Sequence, residues 1–299
     1  MLTGYHVAVI GGDARQIEII RRLNKWNATV YIAGFDQLNE SFTEAIDLDF
    51  DSKQVEKLDA IILPIAGTDD EGKIEGIFSN QLIQLSEDWL KKTPEHCLIF
   101  TGITKPFLVN IAAKVDRTLI PLMDRDDVAI YNSIPTVEGT ILLVIQHTDI
   151  TIHGSKVIVL GLGRVGMGLA RTFSNLGADV SVGVRSSQNI ARVYEMGLTP
   201  IDMNEMQKAN MECDILLNTV PHLVVDASVI KQLPAHALII DLASKPGGTD
   251  FQFADKRGIK AMLAPGLPGI VAPKTAGRII ADVVYRLLLE QQGKETEDE

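Results

Sequence analysis

The sequence predicts an α/β protein made of two doubly wound parallel-sheet domains joined by a connecting helix. Three observations predict it. Short apolar runs alternate with amphipathic stretches along the chain, the order that produces parallel sheets flanked by helices. Residues 156–184 form a complete strand–turn–helix–strand unit whose turn reads Gly161-Leu162-Gly163-Arg164-Val165-Gly166, the G-x-G-x-x-G pattern of a Rossmann-like domain. The opening of the chain echoes that unit at a constant offset of 150 residues without a gap, with Gly11 over Gly161, Ala28 over Ala178 and Val30 over Val180.

At 299 residues the chain suits two domains of about 150 residues each. The expected division is 1–134 for a first Rossmann-like domain serving substrate or assembly, 135–150 for the connecting helix and 151–273 for the dinucleotide-binding domain. The remainder, 274–299, is a C-terminal helix packing back on the first domain, followed by an acidic tail. The active-site cleft is expected between the two domains.

In the first domain His6–Ile10 and Thr29–Ala33 read as strands around a helix, Ala14–Lys25, whose Ile17, Ile20 and Leu23 share a face. Further strands are expected at Asp59–Leu63, Cys97–Phe100 and Thr118–Leu122. Within the echo, Asp13 stands where Gly163 stands and Gln16 where Gly166 stands. The first copy therefore keeps the turn and loses the surface for a pyrophosphate. Open α/β sheets bind ligands beyond the carboxyl ends of their strands. Arg15 and Arg125 are the cations there, able to meet substrate carboxylates or to form surface ion pairs.

Pro135, after Ser133, reads as the first helical residue of the connector, with an apolar helix over Thr136–His147. Asn132, Ser133 and Thr136 would then donate to an anion at its start.

Each glycine of the second motif has a physical reason. Gly161 allows the tight turn out of the strand Lys156–Leu160, Gly163 lets backbone amides approach a pyrophosphate, and Gly166 lets the helix pack close to the sheet. Arg164 and Val165 complete the loop. The next strand, Val180–Val184, ends in Arg185-Ser186-Ser187 with no acid. An acid there would bind the ribose 2′-hydroxyl of NAD and repel a 2′-phosphate, whereas Arg185 and the two serine hydroxyls pair with one. The expected cofactor is NADP rather than NAD.

Later strands at Cys213–Thr219, Ala237–Leu242 and Lys260–Leu263 end in loops that surround the nicotinamide in such domains. Thr219, Val220 and Pro221 are expected against the cofactor. His222 can take a proton near neutral pH, and Lys245 can bind a carboxylate or polarise a substrate nitrogen or oxygen. Lys274 and Thr275 open the last helix, Lys274–Leu289, where anions bind well.

The net charge of −11 argues against a nucleic-acid protein. Residues 1–150 hold 13 Lys and Arg against 23 Asp and Glu, a net of −10, whereas residues 151–294 hold 15 against 12, a net of +3 that suits an anionic cofactor. The tail Glu295–Glu299 is expected to be disordered. No apolar run reaches 18 residues, so no membrane span is expected. No basic leader precedes the first strand, and Cys97 and Cys213 lie in apolar runs. Both read as reduced core residues of a cytoplasmic protein. The six histidines are scattered and none makes H-x-x-x-H, so no metal site is expected. The apolar connector and last helix point to a homo-oligomer.

The layout resembles that of D-2-hydroxyacid dehydrogenases and alanine dehydrogenases. Lys245 falls near the arginine that binds substrate carboxylate in the hydroxyacid enzymes. The histidine of their acid/base relay has no counterpart, since the last loop reads Pro265-Gly266-Leu267-Pro268-Gly269. A more specific resemblance spans essentially the whole chain. GGDARQ near the start, NSIPTVEGTILLVIQHTDITIHGSKVIVLGLGRVG in the middle, and IIDLASKPGGTD with LAPGLPGIVAPKTAG near the end are similar to the A-subunit family of dipicolinate synthase.

That resemblance implies a sporulation enzyme of the bacterial mother cell on a branch of the lysine/diaminopimelate pathway. It would oxidise a dihydrodipicolinate-type intermediate, derived from 4-hydroxy-tetrahydrodipicolinate, to dipicolinate with NADP. It also implies a partner, the flavoprotein-like B-subunit of dipicolinate synthase. In this arrangement Arg15, Ser133 and Thr136 hold one substrate carboxylate, and Lys245 holds the other or orients the ring nitrogen. His222 or water takes the ring proton. A non-catalytic NADP-binding scaffold and a D-2-hydroxyacid-type dehydrogenase are the alternatives the motifs leave open.

Overall fold

The structure, a computed structural model, describes residues 1–38, 42, 44–208 and 211–295. The chain divides into two units, one formed by Met1–Tyr131 with the chain from Ala272 onward, the other by Asn132–Val271.

The first unit holds β1 (His6–Ile10), α1 (Ala14–Lys25), β2 (Thr29–Ala33), β3 (Ala45–Asp47), β4 (Ala60–Ile62), the hairpin strands β5 (Lys73–Ile74) and β6 (Ile83–Gln84), α2 (Glu87–Lys91), β7 (Leu98–Thr101), α3 (Pro106–Lys114) and β8 (Leu119–Pro121). Its main sheet is parallel in the order β3-β2-β1-β4-β7-β8. Side chains alternate across the sheet. Val7 and Val9 enter one core with Ile19, Ile20 and Leu23 of α1, while Ala8 and Ile10 enter the other with Ile61 and Ile99. Both faces are covered, as a parallel sheet requires.

The long helix α4 (Asp126–His147) carries the chain into the second unit. There follow β9 (Lys156–Leu160), α5 (Arg164–Asn175), β10 (Asp179–Val184), α6 (Ser187–Glu195), β11 (Thr199–Asp202), β12 (Ile215–Asn218), α7 (Ala227–Ile230), β13 (Leu238–Asp241), α8 (Phe251–Lys256), β14 (Lys260–Leu263) and α9 (Leu267–Val271). This sheet is parallel in the order β11-β10-β9-β12-β13-β14. Val157 and Val159 face one core, Ile158 and Leu160 the other.

The two units share more than strand order. His6 pairs with Thr29 and Lys156 with Asp179, an offset of 23 residues in both. In the first, Asp59 accepts the His6 amide at 2.7 Å and meets His96 Nε2 at 2.9 Å. In the second, Asp214 accepts the Lys156 amide at 2.8 Å and meets His236 Nε2 at 3.0 Å. The same carboxylate tie thus closes the amino edge of each sheet.

The connector differs from its sequence reading. The helix starts at Asp126, not at Pro135, and Pro135 lies inside it. Asp126 and Asp127 occupy the first turn, where carboxylates favour the helix amino end, and Val128 is buried in the first unit's core. Proline removes one interior bond, and the Thr136 hydroxyl donates to the Asn132 carbonyl at 2.7 Å within that turn. By length and composition α4 meets the requirement for a membrane span. Its Val128, Val137 and Val144 are nevertheless buried in the sheet cores, so packing accounts for much of that apolarity.

The final helix, α10 (Pro273–Glu295), returns to the first unit and packs along α1. Ile280, Ala281, Val283, Val284 and Leu288 are buried there. Gly277 marks the closest approach, where a Cβ would strike the Arg15 carbonyl. The apolar side of α10 is therefore covered within the chain and gives no argument for an oligomer. Of the tail Glu295–Glu299 expected to be disordered, Glu295 is instead the last residue of α10, and residues 296–299 lie outside the described residues.

Candidate active site

β9 delivers the chain to Gly161 at the carboxyl edge of the second sheet, and Gly161 turns it with φ +96°, a conformation that side chains resist. A Cβ on Gly166 would strike the Gly161 carbonyl, so α5 starts directly under the turn. The Thr219 hydroxyl donates to the Leu160 carbonyl at 2.8 Å. It braces the turn from just past β12, and its hydroxyl hydrogen is engaged in that bond. Gly163 caps α5 with no side-chain hydrogen bond, and the first turn carries no acid. A Cβ on Gly163 would meet nothing within 4 Å. The helix therefore presents backbone N–H groups to open space, which fits a dinucleotide pyrophosphate. Arg164 and Val165 form its first two positions.

The corresponding end of α1 is closed. Asp13 accepts from the Arg15 amide, and the Gln16 side chain accepts from the Asp13 amide at 3.0 Å, a reciprocal cap. A Cβ on Gly12 would run into the Gln16 side chain. The hairpin segment lies across the loop, with the Gly12 amide donating to Glu75 at 2.8 Å and the Ile77 amide donating to Gly12 at 2.9 Å. A carboxylate and a glutamine fill the place of the anion.

At the end of β10, Arg185, Ser186 and Ser187 are exposed. Ser186 caps α6, accepting from the Asn189 amide at 3.2 Å, which leaves its hydroxyl hydrogen for a phosphate. A cavity of about 390 Å³ opens beside Arg185, walled by Met203, Met206, Leu223, Val224 and Asp226. A larger cavity of about 510 Å³ reaches Lys156, Asp179 and Thr199, the first residues of their strands. The smaller one adjoins the carboxyl edge, where such sheets bind cofactors.

The loops after β12 and β13 are laced together by two buried residues that motif reading did not single out. Asp241 accepts from the Ala243 amide at 3.0 Å, the Gly248 amide at 2.8 Å, the Thr249 hydroxyl at 2.6 Å and Asn218 Nδ2 at 3.1 Å. Asn218 also clasps Val220, accepting from its amide at 3.0 Å and donating to its carbonyl at 3.1 Å. These four donors, Asn218 among them, offset the cost of burying this carboxylate. A Cβ on Gly248 would strike the His222 and Val220 carbonyls, so the two loops touch. The result carries Val220, Pro221 and His222 on one loop and Lys245 on the other. His222 and Lys245 are exposed, and neither side chain has a partner among the described residues.

Other expected substrate groups are already engaged. Arg15 grips Asp13, with Nε–Oδ1 at 2.9 Å and Nη2–Oδ2 at 2.5 Å. Arg125 makes a two-point pair with Asp127 at 3.0 Å, and Arg286 joins it at 3.0 Å. These are the ion-pair alternatives of the sequence reading. Ser133 and Thr136 do not stand at a helix start. Ser133 is buried in α4 near Gly168 of α5, and the Thr136 hydroxyl is bonded within its own turn. Lys274 and Thr275 are exposed in the first turn of α10 in the first unit, and the Gly277 approach brings that turn toward Arg15. Among the described residues no group of three or more His, Cys, Asp or Glu is placed to hold a metal ion. Burial pushes the thiols of Cys97 and Cys213 up to about 12, leaving them inert.

Comparison with known proteins agrees with this division. Residues 6–123 match the family described as the N-terminal domain of the dipicolinate synthase A-subunit, and residues 144–245 match the D-isomer specific 2-hydroxyacid dehydrogenase, NAD binding domain. The chain is 55% identical over 295 residues to the dipicolinate synthase A-subunit of Bacillus subtilis (strain 168), covering 99% of each. The crystal structure of that A-subunit from Bacillus subtilis superposes with a TM-score of 0.94, covering 98% of this chain and 99% of the other. The A-subunit structure from Bacillus halodurans, also 55% identical, gives 0.92 over 96% and 99%. Identity at this level over nearly all of both chains makes the protein a member of the A-subunit family of dipicolinate synthase.

Proposed function

We propose that the chain is the dehydrogenase component of a dipicolinate synthase. It would oxidise a dihydrodipicolinate-type ring, formed from 4-hydroxy-tetrahydrodipicolinate by loss of water, to dipicolinate with NADP as acceptor. The observation that carries this is the uncapped α5 end with Arg185-Ser186-Ser187 beside it, next to loops that present Lys245 and His222 without protein partners among the described residues. A nicotinamide held at that edge would supply the acceptor for the hydride that leaves a ring carbon. The ring also gives up one proton, so a dihydropyridine becomes a pyridine and the electrons balance.

Lys245 supplies a positive charge for a substrate carboxylate or for the ring nitrogen, and His222 is the side chain available to take the proton. The Asn218–Asp241 network fixes both loops, so positioning is the protein's main contribution. Arg185 and the Ser186 and Ser187 hydroxyls bind the 2′-phosphate. Family membership supports a complex with the B-subunit and a cytoplasmic setting in the sporulating mother cell. The exposed Ile134, Leu142 and Ile145 of α4 support a homo-oligomer.

The test is NADPH formation by the purified chain supplied with fresh product of dihydrodipicolinate synthase, with and without the B-subunit. Turnover that falls at least tenfold in kcat/KM in Lys245→Ala supports the assignment. NADP binding with no turnover under either condition would replace it with a scaffold role.

A further inference from the structure

Asn204 sits just past β11, where its amide and its side chain both turn back on the strand end. The amide donates to Asp202 Oδ1 at 2.9 Å, and Nδ2 donates to the same oxygen at 2.9 Å. Nδ2 also donates to the Arg185 carbonyl at 3.0 Å. Both hydrogens of the side-chain amide are thereby engaged, so Asn204 has no donor left for a ligand. Its link runs from the end of β11 to the backbone of the residue that follows β10. It also holds a carboxylate, Asp202, by two N–H groups close to the cavity that Asn204 and Arg185 line.

We infer that Asn204 is a positioning residue for cofactor choice, holding the Arg185 backbone where its guanidinium and the Ser186 and Ser187 hydroxyls converge on a 2′-phosphate. This rests on the NADP reading and deepens it. A guanidinium on a loose loop loses side-chain and backbone freedom when it grips a phosphate, and a pinned backbone has already lost part of it. The effect is confined to the phosphate end of the ligand. NAD, which lacks that phosphate, gains little from the pin, whereas NADP gains directly.

The experiment is calorimetric titration of the full chain with NADP and with NAD, using wild type, Asn204→Ala, Asn204→Asp, Arg185→Ala and the Arg185→Ala/Asn204→Ala pair. The side-chain link is expected to be worth about five- to tenfold in NADP affinity. Asn204→Ala should therefore weaken NADP by about that factor and leave NAD within about twofold. Asn204→Asp keeps the size and the turn but replaces the donor with a second carboxylate, and should weaken NADP further. Because Asn204 acts through Arg185, the double variant should bind NADP no more weakly than Arg185→Ala alone.

Equal losses for both dinucleotides in the Asn204 variants, or additive losses in the double variant, would overturn the inference while leaving the NADP reading intact. An NADP-to-NAD ratio unchanged by Arg185→Ala would overturn that reading and this inference together.

Discussion

At the residue scale, the second unit differs from the first by what stands at two positions. Gly163 and Gly166 leave the α5 end open, whereas Asp13 and Gln16 close the α1 end. Asp13 also gives the first unit an acid-side signature. Burial raises its carboxyl, but the hydrogen bonds and charge of Arg15 outweigh that and hold it below the usual carboxylate range. A depressed carboxyl stabilises the fold above its unfolded value of about 3.9, and the contribution is lost as pH falls through the folded value. Stability should therefore decline below about pH 4, and Asp13→Asn should flatten that decline in acid unfolding curves. An unaltered slope would contradict the pairing. In the second unit, Arg185→Asp with Ser186→Ala should shift preference toward NAD, read as the ratio of the two dissociation constants. Asp241→Ala leaves four donors without an acceptor and should cost about 3–5 kcal/mol, visible as a large fall in Tm together with loss of turnover.

At the element scale, α1 and α10 form the main helix pair of the first unit. Arg22 reaches Asp282 at 2.5 Å, and Trp26 packs on Tyr285 with centroids 4.6 Å apart. Gly277→Val pushes a side chain into the Arg15 carbonyl and should cost about 1–3 kcal/mol, a drop of several degrees by thermal unfolding. An unchanged Tm would mean the helices do not meet as described. The elements legible in the sequence were those with strong periodicity or a fixed turn. His6–Ile10, Ala14–Lys25, Thr29–Ala33, Lys156–Leu160 and Lys260–Leu263 have the bounds their patterns predict. Others carried no such signal. β5 and β6 are two residues each, β11 contains a proline, and α6 opens on Ser187-Gln188-Asn189, which reads as a loop until Ser186 is seen to cap it. Pro135 misleads because a proline shortly after a serine is a good helix start, whereas the backbone is already helical from Asp126. The dinucleotide cradle was legible because its glycines are local. The Asn218–Asp241 clasp was not, because it joins residues 23 apart through tertiary contact.

At the scale of the whole molecule, two units of the same strand order, the same first-pair offset and the same Asp–His tie differ in what their carboxyl edges can hold. The formal charge is uneven between them, −10 over residues 1–131 with 272–299 and −1 over residues 132–271, so an anionic cofactor meets less repulsion in the second. One cradle per chain is the central consequence. Isothermal titration of the purified full chain with NADP tests it most directly. The account predicts one molecule bound per chain, more tightly than NAD, and abolished by Gly163→Val. Two molecules per chain would contradict closure of the α1 end, and no binding would contradict the cofactor site itself.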